Sequence, residues 1–167
     1  VIRGKNIYLL DEIILTSAVA QQSALEFVDK FKDHQNKHVL IYGDPAGKAG
    51  EKHGHPSDYI DIENVLKANG WKFTRKVKPS TWSIKDGQNA VRAKILTASG
   101  ERFLFVNKVK APYTHKSLAT GQLKEGSTFL EDDTSEYQHI GTAIRYFIDY
   151  EYPIIGNQAQ TMKLQGL

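Results

Sequence analysis

The feature that most constrains the fold is the order of the apolar runs, in which strand-like and helix-like periods alternate along the chain. Strand-like runs are bounded by turn residues such as Gly4 and Asn6, whereas helix-like segments carry apolar residues three or four positions apart. The predicted elements, in chain order, are a hairpin at 1–15, a helix at 17–34, a strand at 38–42, a helix at 58–69, a strand at 71–77, a helix at 83–96, a strand at 102–106, and helices at 113–120 and 138–150. Strands separated by helices predict an α/β domain with a mixed sheet and flanking helices.

Length and composition narrow the class of protein. With 167 residues the chain has the size of about one domain, which we expect at 1–155, followed by a flexible tail at 156–167. The chain has no cysteine, which excludes thiol catalysis, disulfide scaffolds and thiolate zinc sites. No apolar run approaches the roughly 20 residues that cross a bilayer, so we expect no membrane partner.

The net charge of +3 is unevenly distributed. Residues 66–110 carry eleven Lys or Arg against two acids, a net charge of +9, so the remainder carries −6. Residues 125–151 hold seven acids against one arginine. This distribution favours a polyanion-binding surface beside a cation or acid–base site, although an ordinary solvated surface explains it equally well.

Asp44 is the sharpest candidate for chemistry. It follows the apolar run HVLIY at 38–42, which predicts a strand covered on both faces, and ligands of α/β sheets bind at the carboxyl ends of such strands. Gly43 and Gly47 allow a sharp turn that leaves the carboxylate accessible. The alternative is a turn-forming aspartate that accepts hydrogen bonds from its own loop amides.

Two further patterns lie in and after this loop. Residues 43–48 (GDPAGK) superficially resemble a Walker phosphate loop, but only three residues separate the glycines and no Ser or Thr follows the lysine, which excludes that motif. His53, His55 and Asp58 form a possible metal cluster. Histidines of polar, glycine-rich loops are more often solvated, and Ser57 with Asp58 can simply cap the next helix.

Two more candidates lie in predicted helices. Asp86 follows Ser83 by three residues, which is close to a capping box, so it remains only a weaker site candidate. In the last helix, His139 and Thr142 share a face because they are three residues apart. Alone, this pattern is typical of an ordinary amphipathic helix.

Several segments together resemble the nuclease domain of phage large terminase subunits, which cut concatemeric DNA during head packaging. Their order and spacing cover most of the chain, although no single segment is unique to the family. The similar stretches are IYLLDEI at 7–13, HVLIYGDPAG at 38–47, HGHPSDY at 53–59, NAVRAKI at 89–95, GERFLFVN at 100–107 and EYQHIGTAIRYFIDYEYPI at 136–154.

The resemblance implies a ribonuclease-H-like fold, with an antiparallel hairpin at its start, a mixed five-stranded sheet and helices on both faces. It also implies an acidic cluster that holds two Mg²⁺ or Mn²⁺ ions, which would activate water and stabilise the leaving oxygen of a phosphodiester. Asp44 corresponds to the second acid of this cluster, as metal ligand and catalytic residue. His139 corresponds to the histidine of the family's final motif and is the other candidate catalytic residue.

The chain departs from the family pattern at two positions. Thr142 stands where the third acid is expected, so Asp132, Asp133 or Glu136 of the preceding loop, or Asp149 two turns later, would have to replace it. Asp132 and Asp133 become the candidate metal ligands, with Thr142 itself and Asp149 as weaker candidates. The first acid has no counterpart. We therefore expect that the strand carrying it precedes Val1, and that the chain is a domain cut short at its N-terminus.

The basic segment fits this resemblance, because its side chains can neutralise the phosphates of a DNA duplex independently of sequence. The candidate DNA-binding residues are Lys48, Lys72, Arg75, Lys76, Lys78, Lys85, Arg92 and Lys94.

The resemblance thus implies a two-metal DNA endonuclease domain of a viral packaging terminase, acting in the cytoplasm of an infected or prophage-carrying bacterium. Double-stranded DNA, the portal protein and the small terminase subunit are the implied partners, and ATP would serve only an ATPase domain upstream. Two alternatives remain open. One is a non-catalytic ribonuclease-H-like module that binds DNA or docks on the portal, favoured by Thr142 and the missing first acid. The other is a nucleotide-binding α/β protein that uses the loop at 43–47.

Overall fold

The computed structural model describes residues 1–53, 57–80, 83–120 and 137–154, and at 50–53 it describes the backbone alone. These residues form a mixed α/β structure, which confirms the predicted class. The predicted tail lies outside the described residues. The strands are β1 Ile2–Arg3, β2 Asn6–Leu9, β3 His38–Ile41, β4 Lys72–Arg75 and β5 Leu104–Val106. The helices are α1 Ala20–Lys30, α2 Asp58–Ala68, α3 Ile84–Ile95, α4 Pro112–Thr120 and α5 Gln138–Glu151, and a 3₁₀ segment spans Pro45–His53.

The five strands of the described residues form two separate sheets. β1 pairs antiparallel with β2, and β2 pairs parallel with β5 in the register Ile7 with Leu104. β3 pairs parallel with β4 in the register His38 with Lys72. We expected one mixed sheet, and within the described residues the β3–β4 pair is not joined to the other three strands.

The main hydrophobic core lies between the three-stranded sheet and the helices α3 and α5. α5 supplies its apolar stripe at helical spacing, with Ile144 and Ile148 buried, as the sequence predicted. Ala90 of α3 fits closely against them. The residues of this core are Ile7, Ala90, Leu104, Ile144 and Ile148.

A second packed region joins α1, α2 and the start of β4. Trp71 is buried and meets the ring of Phe27 edge-on, with 5.0 Å between the ring centroids. Gly70 ends α2 with a φ of +75°, a conformation that favours glycine. The predicted start of α1 at residue 17 was wrong, because Val19 precedes its first turn and donates its amide to Gln22 Oε1.

The prediction that both faces of the strand at 38–42 are covered was wrong. In β3, His38 and Leu40 are exposed, with 43% of Leu40 accessible, whereas Val39 and Ile41 are half-buried. The strand therefore has one covered face. No helix among the described residues is long and apolar enough to cross a membrane.

Candidate functional site

The candidate site lies where the ends of β3 and β4 meet the C-terminal half of α5. The chain leaves β3 through Gly43, Asp44 and Pro45, and it leaves β4 through Lys76 to Lys78. A cavity of about 10 Å³, the size of one water molecule, separates these loops from α5. Its lining comprises Gly43, Pro45, Lys76, Lys78, Ser80, Arg145, Tyr146, Asp149 and Tyr150.

The loop that carries Asp44 is built around the side chain of Tyr59. The Tyr59 hydroxyl donates to the carbonyl oxygen of Asp44 at 2.7 Å, and burial raises the pKa of this tyrosine to about 12. A Cβ atom on Gly47 would lie 2.8 Å from the Tyr59 ring, and one on Gly43 would overlap its hydroxyl. Both glycines thus make room for a ring rather than for a phosphate.

The Asp44 carboxylate takes part in the loop itself. Its Oδ1 accepts a hydrogen bond from the amide of Ala46 at 2.8 Å. This is the bond that the turn-forming interpretation predicted. The side chain remains half-buried at the end of the strand, beside the cavity whose lining includes its neighbours Gly43 and Pro45.

Asp149 is the buried carboxylate of the site. Its Oδ2 lies 2.7 Å from Lys78 Nζ, and the two side chains are 7% and 12% exposed. Its Oδ1 is buried and has no hydrogen-bond partner within the described residues. Burial lowers the pKa of Lys78, although the bond to Asp149 acts in the opposite direction. A buried carboxylate oxygen without a donor is costly in a folded protein, so this atom is the clearest sign of a ligand.

A second ion pair involves Glu151, two residues after Asp149 in α5. Glu151 Oε1 accepts from Lys76 Nζ at 2.7 Å and from the Tyr42 hydroxyl at 2.5 Å. Burial acts to raise the pKa of Glu151, but these two hydrogen bonds lower it overall. Burial and the neighbouring carboxylate raise the pKa of Tyr42. The acids of α5 are thus matched by cations that follow β4.

The structure does not bring all the predicted catalytic residues together. His139 is exposed in the first turn of α5, ten residues before Asp149, which corresponds to about 15 Å along the helix. Thr142 is half-buried between these two positions. Asp132 and Asp133 lie outside the described residues.

Asp86 is explained by local structure. It is exposed in the first turn of α3, where its amide donates to the Ser83 hydroxyl at 3.4 Å. Ser83 is therefore the N-cap, as the sequence predicted.

The carboxylates near this site are of the ligand type that suits a hard divalent cation, but the cavity lining also carries three cations, Lys76, Lys78 and Arg145. Carboxylate oxygens are the ligands that Mg²⁺ and Mn²⁺ prefer, and Asp149 offers a buried oxygen without a donor. Across the described side chains of 1–49, 57–80, 83–120 and 137–154, no group of three or more His, Asp or Glu residues is placed to hold a metal ion. Asp149 lines the cavity, whereas on the Asp44 side the lining consists of the neighbouring residues Gly43 and Pro45.

The predicted DNA-binding residues divide into two groups. Lys72, Lys85 and Arg92 are exposed. The others make contacts within the chain, and these contacts are Arg75 with Glu63, Lys76 with Glu151, Lys78 with Asp149, Lys48 with the carbonyls of Val77 and Lys78, and Lys94 with the ring of Tyr152. Much of the positive charge of the segment thus compensates the chain's own acids.

Sequence reasoning missed Tyr42, Tyr59 and Glu151. Tyr42 and Glu151 are 109 positions apart, so no local pattern joins them. The signal for Tyr59 was present in the pair of glycines four residues apart, which we attributed to the turn alone.

No family model, curated protein or solved structure matches this chain, so its function has to be argued from its own residues.

Proposed function

We propose that this chain is a metal-dependent DNA endonuclease domain with a ribonuclease-H-like arrangement, of the kind that phage large terminase subunits carry. The observation that carries the proposal is the buried Asp149 carboxylate, whose Oδ1 has no donor among the described residues and which lines one small cavity with the neighbours of Asp44. Asp44 follows the end of β3 and Asp149 belongs to α5, and carboxylates are the ligand type that suits a divalent cation.

Each described residue has a separate part in this proposal. Asp44 and Asp149 hold a divalent cation, which supplies an activated water and charge neutralisation at the phosphodiester when bound. Lys78 holds Asp149 in place through its ion pair. The exposed Lys72, Lys85 and Arg92 contact DNA phosphates.

The wider parts of the proposal come from the resemblance. They are a further acidic ligand, a role of Asp132, Asp133 and His139 at the metal, and assembly with a portal protein and a small terminase subunit. Action in the cytoplasm of a bacterial host and ATP use by an upstream domain also come from the resemblance.

A plasmid-nicking assay tests the activity. The full chain is incubated with a supercoiled plasmid, once with Mn²⁺ and once with a chelator. Because no third acid converges on the site among the described side chains, we expect at most weak nicking with Mn²⁺ and none with the chelator. This nicking should be lost in Asp44→Asn, whose Oδ1 accepts the amide of Ala46 within the loop. The matched control is Asp33→Asn, an exposed acid just after α1. Asp149→Asn is a second variant of the site. Because this substitution disturbs a buried ion pair, the circular dichroism of the variant must be compared with that of the native chain.

Binding of Mn²⁺ is measured separately by paramagnetic broadening of amide signals. We expect broadening centred on the amides of Gly43, Asp44 and Ala46 and on the Asp149 turn of α5. Broadening that is scattered over the surface, or that Asp44→Asn leaves unchanged, would contradict the assignment of the site even if some nicking were observed.

The second candidate function is DNA binding without catalysis. It is favoured because no group of three metal-ligating side chains converges in the part of the chain that the structure describes. It predicts duplex binding that does not need Mn²⁺ and is weakened by salt. Replacing Lys72, Lys85 and Arg92 by Gln should then lower the slope of log K against log salt by about 3.

A further inference from the structure

The outer face of the three-stranded sheet carries a stacked pair of aromatic rings. Ile7 and Leu104 are partners in the β2–β5 register, and both belong to the hydrophobic core on the inner face of the sheet. Tyr8 and Phe105 are the next partners of the same register, so they point to the opposite face. Their ring centroids lie 5.3 Å apart, with 20° between the ring planes. The pair therefore lies on a face that the core does not use.

This aromatic pair is accessible from solvent. Phe105 is 40% exposed and Tyr8 is half-buried, whereas Ile7, the neighbour of Tyr8 in β2, is completely buried. Aromatic side chains carry large apolar surfaces that favour stacking against other planar rings. An exposed aromatic residue on a sheet face thus offers a surface on which a planar ligand can stack.

Polar groups lie beside the rings on the same face. Arg3 pairs with Asn6 in the β1–β2 register, and Asn6 precedes Tyr8 by two residues, so all three share the outer face. The Asn6 side-chain amide donates to the Tyr8 hydroxyl at 3.4 Å. The amino group of Val1 donates to the Tyr8 carbonyl at 2.8 Å, so it is engaged in the ladder of the sheet. Two residues of a strand span about 7 Å, so the exposed Arg3 lies one such step along the sheet from the row of rings.

Exposed cations flank the aromatic pair at both ends of the strands. Because β2 and β5 run parallel, the segments before them meet at one end of the sheet and the segments after them at the other. The exposed cations are Arg3, Lys5 and Arg102 at the first end, and Lys108 and Lys110 at the second. Within the part of the chain that the structure describes, no ion pair involves any of these five side chains.

The acids of the same segments are already engaged. Asp11 lies 2.7 Å from Lys30 Nζ, and this hydrogen bond, together with the charge of Lys110, lowers the pKa of Asp11. Glu12 accepts two backbone amides at the start of α4 through its carboxylate oxygens. Glu101 accepts from a serine hydroxyl of its own turn at 3.0 Å. Five exposed cations against three engaged acids favour a polyanion as the ligand of this face.

We propose that this face binds an unpaired strand of nucleic acid. Bases stack on Phe105 and Tyr8, and the phosphates on either side contact the flanking cations. The bases of a duplex already stack on one another, so a platform of this kind selects unpaired strands. An apolar protein surface would cover the rings but would leave the five cations without partners. The face includes neither Asp44 nor Asp149, so the proposal does not depend on nuclease activity.

The probe is fluorescein-labelled octathymidylate, whose binding to the full chain is measured by fluorescence anisotropy with a chelator present to prevent cleavage. The control ligand is the abasic octamer, which has the same phosphates and no bases. Because each base that stacks on an aromatic ring tightens binding by about fivefold or more, we expect octathymidylate to bind at least that much more tightly. Octauridylate carries a similar base on ribose. Binding of either oligonucleotide to this face supports the proposal, and the tighter one identifies the sugar of the strand.

Substitutions of Phe105 locate the binding. Phe105→Leu keeps an apolar residue but removes the ring, and it should weaken the binding of octathymidylate by about fivefold or more. Phe105→Tyr keeps a ring and should retain the native affinity, which a merely structural role of the position would not require. The matched control is Tyr113→Leu, since Tyr113 is 38% exposed but its ring packs against Tyr137, outside the sheet. This control should leave the affinity unchanged.

The salt dependence of binding tests the cations. Replacing both Arg3 and Lys108 by Gln should reduce the magnitude of the slope of log K against log salt by about 1.4, because each phosphate contact of a single strand contributes about 0.7. Lys67→Gln is the control, since Lys67 is exposed in α2 and belongs to neither end of the sheet. An unchanged slope in the Arg3 and Lys108 variant would contradict the contacts with phosphate.

Three further results would overturn the proposal. They are equal binding of octathymidylate and the abasic octamer, equal affinity of the native chain and Phe105→Leu, and a dimer of the free chain that Phe105→Leu converts to a monomer. The last result would identify a second copy of the chain as the occupant. A chain that fails to nick plasmid but binds octathymidylate through Phe105 would refute the nuclease alone and support this proposal.

Discussion

Lys78 Nζ and Asp149 Oδ2 form a buried ion pair at 2.7 Å that fastens the segment after β4 to the last helix. The residues are 71 positions apart, and the side chains are only 12% and 7% exposed. Such a pair gains little over apolar packing while both partners are present, but either partner alone is an uncompensated buried charge.

Replacing one partner of this pair should therefore be more damaging than replacing both. We expect Lys78→Met to lower the free energy of unfolding by about 3–5 kcal/mol, and the double variant Lys78→Met/Asp149→Leu to recover a large part of this loss. Urea denaturation of the single and double variants measures the coupling.

The control for this cycle is Lys85→Met, because Lys85 is exposed in the first turn of α3. Its effect should stay within about 0.5 kcal/mol. A double variant no more stable than Lys78→Met would show that the two charges do not act as a pair.

The ion pair of Glu151 predicts a loss of stability in acid. The hydrogen bonds from Lys76 and Tyr42 lower the pKa of Glu151 below its ordinary value of 4.5, against the effect of burial. A lowered carboxyl pKa contributes stability above the unfolded pKa, and that contribution disappears as the pH falls through the folded pKa. Urea midpoints at pH 7 and pH 3 should therefore differ less in Glu151→Gln than in the native chain.

The matched control for this pH dependence is Glu26→Gln, an exposed acid of α1. It should leave the difference between the two midpoints unchanged. An equal difference in the native chain and in Glu151→Gln would contradict the role of this carboxylate.

Local sequence patterns predicted the helices and strands of this fold well. The apolar stripe of α5 and the serine caps of α2 and α3 were predicted correctly, because helical period and capping depend on residues within a few positions. The class of fold followed from the order of the elements.

The pairing of distant elements did not follow from local patterns. The run HVLIY predicted a strand covered on both faces, but Leu40 is 43% exposed because β3 has one strand neighbour in the described residues and packs on one face. The pairing of Lys78 with Asp149 depends on where β4 and α5 meet. Asp149 was therefore only a weaker candidate in the sequence, and the structure shows that it is buried and paired with Lys78.

The contact between Gly47 and the Tyr59 ring predicts that the loop of Asp44 tolerates no larger residue there. Gly47→Ala would place a Cβ atom 2.8 Å from the ring, and we expect a loss of about 1–3 kcal/mol from this overpacking. In a Tyr59→Leu background the same substitution should cost less, because the ring is gone. Urea denaturation of the four chains measures both effects, and equal costs in the two backgrounds would contradict the contact.

The contacts of Glu12 predict that its replacement destabilises the start of α4, which lies far along the chain. Its two carboxylate oxygens accept the amides of Tyr113 and Thr114, which are among the first residues of α4, so a residue next to β2 caps a helix 100 positions later. Glu12→Ala should lower the free energy of unfolding by about 1–2 kcal/mol. Hydrogen exchange separates this cap from a general loss of stability, because the amides of Tyr113 and Thr114 should lose protection well before those of Ile144 and Ile148. Uniform acceleration of all four amides would mean that Glu12 supports the whole domain and not the start of α4.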